Sequence, residues 1–221
     1  RGLIEQRLGV SGDMKTEREA ILWQACPWRY PTKVDYTPQR IKDQFTYEEL
    51  TGFTFHIDPP GCRDVDDVFT IERLGDEDWR VTITISDVAG YVEDGGAIDI
   101  MASLISQSVY NTEGHVMRPM LPMEYSEGAC SLLPGAKRYG VSLQFRWSED
   151  KITEKRWCLT TFETNKSYTY DECKRGEGVE NFDVLSDIAT HLLHSDTPIT
   201  DSHEWVAQMM IFYNMEAGKL L

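Results

Sequence analysis

The 221-residue chain has no apolar run of bilayer-spanning length, no CxxC pair, no internal repeat and no low-complexity tract. The first absence excludes a transmembrane helix, and no membrane association is expected. The N-terminal RGLIEQRLGV lacks the charged-then-apolar order of a signal peptide. Position 1 is not methionine, so a processed chain or a piece of a longer one is expected. The five cysteines, Cys26, Cys62, Cys130, Cys158 and Cys173, are odd in number and scattered. That argues against a disulfide framework or a thiolate zinc site and suits a reducing, intracellular setting. Positive charge is also scarce, with 22 Lys and Arg against 37 Asp and Glu and a net charge of −15. A phosphate backbone is normally met by a basic face. Affinity for a polyanion would therefore need a local groove, a metal, or help from elsewhere.

What is present supports a real core: 41% apolar residues and six tryptophans. KTEREAILWQAC has helical spacing, with Ala20, Ile21, Trp23 and Gln24 along a turn and a half. CPWRYPTKVDYTPQ is broken three times by proline and predicts a strap laid over another surface. FTFHI reads as a short strand. VFTIERL and WRVTITI alternate in strand fashion around a GDED hairpin turn. Ala97 to Tyr110 reads as a helix. Two further strands flank SEDK, KRGEGVENFD is a loop, DVLSDIATHLLH is a helix, and HEWVAQMMIFYNMEAGKLL is a final amphipathic helix. Trp205, Met209, Phe212 and Tyr213 lie on or near one face of that last helix. The expected class is mixed α/β, with a lead-in over residues 1–52 and one domain over 53–221.

The segment HIDPPGCRDVDDVFTIE holds Asp58, Asp64, Asp66 and Asp67 within ten residues. At about 4 Å and an effective dielectric near 20, each carboxylate pair repels by roughly 4 kcal/mol. Solvation, protonation or a bound cation could each offset that repulsion. A solvated acidic turn is one reading. The other is a divalent-ion site, since an all-oxygen donor set without histidine suits Mg²⁺ or Mn²⁺ rather than zinc. The glycine and distal glutamate of a calcium loop are misplaced here. Metal-assisted attack of water on a phosphodiester is the chemistry such a loop would serve.

DPPGCRDVDD, followed by VTITISDVAGYVEDGGAID, SVY and RPMLPMEYSEGACSLLPGAKR, closely resembles the RNase II (RNB) family of exoribonucleases. The DPPGC form is most similar to the eukaryotic branch, which includes the catalytic subunit of the RNA exosome. The resemblance runs from about Phe53 to about Tyr170, and EREAILWQACPWRYPTKV is weakly similar to the helix and strap that precede the domain. It implies an RNB-type α/β fold and Mg²⁺-dependent hydrolysis of single-stranded RNA from the 3′ end, releasing nucleoside 5′-monophosphates. It further implies Asp58, Asp64 and Asp67 as magnesium-binding carboxylates, with Mn²⁺ as a substitute, and Asp66 as the aspartate most tied to catalysis. Tyr170, in NKSYTYDE, would stack on a base near the RNA 3′ end and set the final product size. Tyr110, in SVY, would help position the terminal nucleotides. By itself each tyrosine reads as a core residue with a wet hydroxyl.

The chain departs from the family pattern in places. Ala207 and Gln208 stand where the similar helix carries two acidic residues. The later segment bearing a phosphate-contacting arginine has no counterpart, nor has an S1-type RNA-binding module. The expectation is therefore a carboxylate half-site completed by another protein chain or segment. The alternative is a catalytically inactive scaffold or RNA-binding subunit of a ribonucleoprotein or RNA-decay assembly. Three lesser candidates remain. His191, His194 and His203 could form a metal group or a solvated helix end. Asp87 could buttress the aspartate loop or cap a turn. Lys137 and Arg138 could touch phosphate or be ordinary surface charge.

Overall fold

Strands of period-two alternation carry most of the molecule. The computed structural model describes residues 6–41, 46–112 and 116–220. The elements run α1 (Met14–Ala25), β1 (Glu48–Glu49), β2 (Phe53–Ile57), β3 (Asp67–Gly75), β4 (Asp78–Ser86), α2 (Ala97–Ile105), β5 (Val109–Tyr110), β6 (Val116–Arg118), β7 (Lys137–Ser148), β8 (Lys151–Glu163), β9 (Lys166–Tyr168), α3 (Glu180–Leu192) and α4 (Ser202–Gly218). Seven strands form one sheet in the order β1-β8-β7-β4-β3-β2-β9, and β5 pairs with β6 separately. The inner pairs are antiparallel, while β1 joins β8 and β9 joins β2 in parallel. This is the mixed α/β architecture expected.

The two faces of the sheet are unlike. One carries Phe55, Phe69, Ile83 and Phe145 and packs beneath α3 and α4 through Phe182, Leu185, Trp205 and Met209. Along α4 the expected residues Trp205, Met209, Phe212 and Tyr213 are indeed the inward ones. The opposite face buries hydroxyls. Thr54 pairs with Thr70 at 2.8 Å, Thr84 with Ser142 at 2.7 Å, and Ser142 with Thr160 at 2.7 Å. Each hydroxyl is satisfied by its cross-strand neighbour, so polar burial carries no open desolvation cost. Gly140 lets β4 and β7 close at one end of this face. A Cβ there would lie 2.1 Å from the Thr84 methyl and 2.8 Å from the Ile85 carbonyl oxygen.

The predicted strap is present. The Tyr30 hydroxyl donates to the carbonyls of Ile98 (3.2 Å) and Met120 (2.9 Å), and Ile41 N–H donates to Gly90 O (2.8 Å). Three expectations need correction. The helix expected over Ala97–Tyr110 stops at Ile105, because Ser106 turns left-handed at φ +69° and Val109–Tyr110 is drawn into a pair with Val116–Arg118. α3 begins at Glu180, inside the expected loop, where Glu180 and Asp183 suit a helix N-terminus and Phe182 is buried. In α1 only Leu22 is buried and Ile21 is 64% exposed. Its apolar residues are contiguous rather than spaced by three and four, so they make no stripe. The extreme residues 1–5 and Leu221, and residues 42–45 and 113–115, lie outside the described segments. No helix among the described residues is long and apolar enough to cross a membrane.

Gly140→Ala is expected to destabilise the chain by about 1–3 kcal/mol, the usual cost of overpacking. Chemical denaturation with an unchanged slope and a lower midpoint would show it. An unchanged midpoint would mean that the strand contact is not the constraint it appears from the geometry.

Candidate active site

The aspartate loop begins where β2 ends. Asp58 N–H donates to Tyr168 O at 3.0 Å, which extends the β2–β9 pairing by one residue and holds Asp58 at the strand tip. Pro59 and Pro60 then stiffen the chain, and Gly61 at φ +80° turns it, a conformation glycine adopts without strain. Cys62 N–H closes the turn onto Pro59 O at 3.1 Å. The return leg is pinned by the segment 130–132. Val65 N–H donates to the Ser131 hydroxyl at 3.2 Å, Leu132 N–H to Val65 O at 2.8 Å, and the Ser131 hydroxyl to Arg63 O at 2.6 Å. Val65 is fully buried against Val68, Leu132 and Phe162. Its inward anchoring leaves Asp64 and Asp66, its neighbours on either side, lining an open cleft of about 730 Å³ with Pro60, Cys62, Tyr110 and Met123. Ser86 N–H holds Asp66 O at 2.9 Å, and Asp67 opens β3 opposite Ile85.

Four of the six sequence-predicted site residues are engaged by named partners, and the other two are marked by their charge. The Asp58 carboxylate lies 2.7 Å from His56 Nδ1, and His56 Nε2 lies 2.7 Å from the Ser167 hydroxyl. His56 is 3% exposed, so its ring is a fixed bridge between β2 and β9. The Tyr110 hydroxyl donates to Asp64 at 2.5 Å. That bond, then burial, pushes the phenol up to about 12. The protein around Asp66 and the charges of Asp64 and Asp58 push its carboxyl up to about 6, although the residue as a whole is open to the cleft. Burial, then Asp58 and Asp66, pushes Asp67 up to about 7. Tyr170 lies two residues after the Tyr168 carbonyl that holds Asp58. Burial first, then the charges of Asp58 and Asp67, pushes its hydroxyl up to about 12. Its ring stacks face to face on His203, with centroids 3.8 Å apart and planes 6° apart.

This arrangement has a surplus of negative charge, and it fits a hard divalent cation by donor chemistry. Among the described residues no trio of His, Cys, Asp or Glu side chains is gathered tightly enough to chelate an ion alone. Mg²⁺ commonly takes one or two carboxylates and completes its shell with water and substrate phosphate, so an open set suits it better than a closed cage would.

The other candidates have partners of their own. Asp87 holds the strap instead, accepting from Arg40 (3.0 Å), the Tyr47 hydroxyl (2.6 Å) and Gly90 N–H (3.2 Å). Arg138 donates to the carbonyls of Leu133 and Gly128, both at 2.9 Å. His191 packs edge-on against Trp147 at 5.4 Å, with His194 6.4 Å from it, while His203 is on Tyr170, so the three form no common site. Ala207 is exposed, and Gln208 donates to Glu204 at 2.7 Å. His56, Ser167, Ser131 and the Tyr170–His203 stack were not anticipated. One signal was available: His56 is a polar ring inside the otherwise apolar strand end FTFHI, two residues before Asp58.

A family model described as RNB domain matches residues 47–181. Exosome complex exonuclease RRP44 homolog A of Arabidopsis thaliana is 27% identical over 186 residues, covering 76% of this chain and 19% of that protein. DIS3-like exonuclease 2 of Xenopus tropicalis is 34% identical over 152 residues, covering 64% and 18%. Ribonuclease R of Mycoplasma pneumoniae is 28% identical over 181 residues, covering 81% and 23%. The chain thus spans about a fifth of the length of these curated relatives. Among solved structures, Mycoplasma genitalium RNase R in complex with double-stranded RNA superposes with a TM-score of 0.75 at 18% identity, over 94% of this chain and 45% of that one. Yeast Ssd1, described as a pseudonuclease, superposes with a TM-score of 0.68 at 17% identity, over 85% and 26%.

Asp66 and Asp67 hold their protons more tightly in the folded chain than at the ordinary 3.8. The folded state therefore binds more protons than the unfolded state between about pH 4 and 7, and this contribution to stability is lost as pH rises through that window. In EDTA, Asp67→Asn is expected to melt higher than the unsubstituted chain above about pH 7, with the gap closing near pH 4. A gap of equal size at both ends, read by thermal melting, would contradict the assignment.

Proposed function

The chain belongs to the RNB domain family, and on that premise we propose that it carries the carboxylate half of a metal-dependent 3′–5′ exoribonuclease site. The substrate is single-stranded RNA and the products are nucleoside 5′-monophosphates. The observation that carries this reading is the convergence of Asp58, Asp64, Asp66 and Asp67 at the joined ends of β2 and β3, with two of the four carboxyls pushed up by burial and by their neighbours. Mg²⁺, or Mn²⁺ in its place, would supply neutralisation of the phosphate oxygens and an acidified water when bound.

The residues divide the work. Asp58, Asp64 and Asp67 would hold the ion together with water and substrate phosphate, with Asp58 oriented by His56 and Asp64 by Tyr110, as hydrogen bonds to ligating carboxylates commonly do. Asp66 faces the cleft and orients the water that attacks the terminal phosphorus. The bond to the 3′ oxygen of the preceding nucleotide then breaks, which leaves that nucleotide as the new 3′ end. Tyr110 and Tyr170 guide the RNA end without preferring a sequence, because every base has a π-face. Arg63, the basic residue lining the cleft, is paired with Glu127 at 3.0 Å. Further cationic contacts to the RNA phosphates are assigned to another chain or segment.

A second reading is a non-catalytic RNA-binding or scaffold subunit. Ala207 and Gln208, in place of two acidic residues, favour it, and the shared fold of a neighbour described as a pseudonuclease is compatible with it.

Single-stranded RNA labelled at either end, incubated with the intact protein and Mg²⁺, separates the two. A labelled mononucleotide from the 3′ end is expected, with a loss of about 100-fold or more in Asp66→Asn, the scale seen on removing a preorganised electrostatic group. Tyr170→Ala is expected to keep activity and change the length of the final product. No mononucleotide in Mg²⁺ or Mn²⁺ would favour the scaffold.

A further inference from the structure

Tyr170 sits on the short helical turn that follows β9, and its ring packs against the main core. The face it turns away from that core is covered by His203, from the first turn of α4, in a parallel stack at 3.8 Å. One bond ties the two elements together, and the N-cap of α4 holds His203 within its own turn. The Ser202 hydroxyl donates to Tyr170 O at 2.9 Å, and Asp201 accepts from His203 N–H at 2.9 Å while its carboxylate lies 3.1 Å from His203 Nδ1. The N-cap of α4 therefore sets both the backbone and the ring of His203. The His203 side chain is 67% exposed, although one of its faces is spent on Tyr170. Tyr170, the half-buried partner of the stack, follows by two residues the Tyr168 carbonyl that accepts from Asp58 N–H at 3.0 Å, so the pair stands beside the strand tip that carries Asp58.

From this geometry we infer that His203 is a substrate-binding residue, whose outer face receives a base of the RNA. This rests on the RNA-hydrolysing reading above. A base cannot lie on the covered face of Tyr170 unless His203 moves. It can lie on His203 as the third ring of a stack, base–His203–Tyr170, with the tyrosine as backing. Stacking of this kind tolerates any base, as a processive enzyme requires. Tyr170 then acts on the RNA through His203, and the position of the N-cap of α4 sets how far the RNA end enters.

The test uses the intact protein carrying Asp66→Asn, to block hydrolysis, and single-stranded RNA with 2-aminopurine placed singly at each of the last four nucleotides. Quenching at one position is expected, retained in His203→Phe and lost in His203→Ala. The loss of affinity in His203→Ala should be about tenfold, within the range for a base–aromatic stack. Tyr170→Ala with His203 intact should weaken binding less than His203→Ala does. Unchanged quenching and affinity in His203→Ala would overturn the inference and leave the RNA reading intact. No binding of the RNA by the Asp66→Asn protein, with none by the unsubstituted protein in Ca²⁺, would overturn both.

Discussion

Repulsion among four carboxylates at the end of one strand pair is the constraint around which the rest is arranged. Its effect falls on Asp66 and Asp67, where it adds to burial in pushing the carboxyls up to about 6 and 7. A loop free to move would spread these charges into solvent. This one is prevented from doing so. The parallel pairing of β2 with β9 holds Asp58, the buried Val65 anchors the return leg, and Ser131 ties Arg63 and Val65 to a third segment. His56 and Tyr110 then fix Asp58 and Asp64 individually. Local stability is given up to concentrate negative charge, a pattern that clusters at functional sites.

The two faces of the sheet serve this end differently. The apolar face takes α3 and α4 and supplies most of the burial. It also brings the N-terminus of α4 up against the turn at Tyr170, so the same packing that stabilises the sheet delivers His203 to the site. The hydroxyl face holds its strands in register through cross-strand pairs such as Thr84–Ser142. Gly140, opposite Ser86, permits the close approach at the end of β4 where Asp87 receives Arg40, which follows the strap, and Tyr47, which precedes β1. The strap, the sheet and the aspartate loop therefore form one connected unit.

Much of this was legible in the residues. The alternation in VFTIERL and WRVTITI gives the β3–β4 hairpin, and Trp205, Met209, Phe212 and Tyr213 give the inward side of α4. The aspartates announce themselves by density alone, and the prolines announce the strap. Helix ends were harder. Ser106 adopts a left-handed conformation that its residue type does not demand, and the pairing of Val109–Tyr110 with Val116–Arg118 decides the outcome from outside the local window. Tyr110 and Tyr170 were visible only through family resemblance. His56 was hidden because its partner Ser167 is 111 positions away, and His203 because its meaning comes from a ring on a separate turn. Long-range pairing is where periodicity carries no information.

The central claim is that these four carboxylates bind a divalent cation at the end of β2. Anomalous diffraction from crystals of the intact protein soaked in Mn²⁺ tests it most directly. A peak within bonding distance of at least two of Asp58, Asp64, Asp66 and Asp67 is predicted, with its occupancy lost in Asp67→Asn. A saturating soak that leaves this position empty, or that fills only sites elsewhere, would contradict the claim.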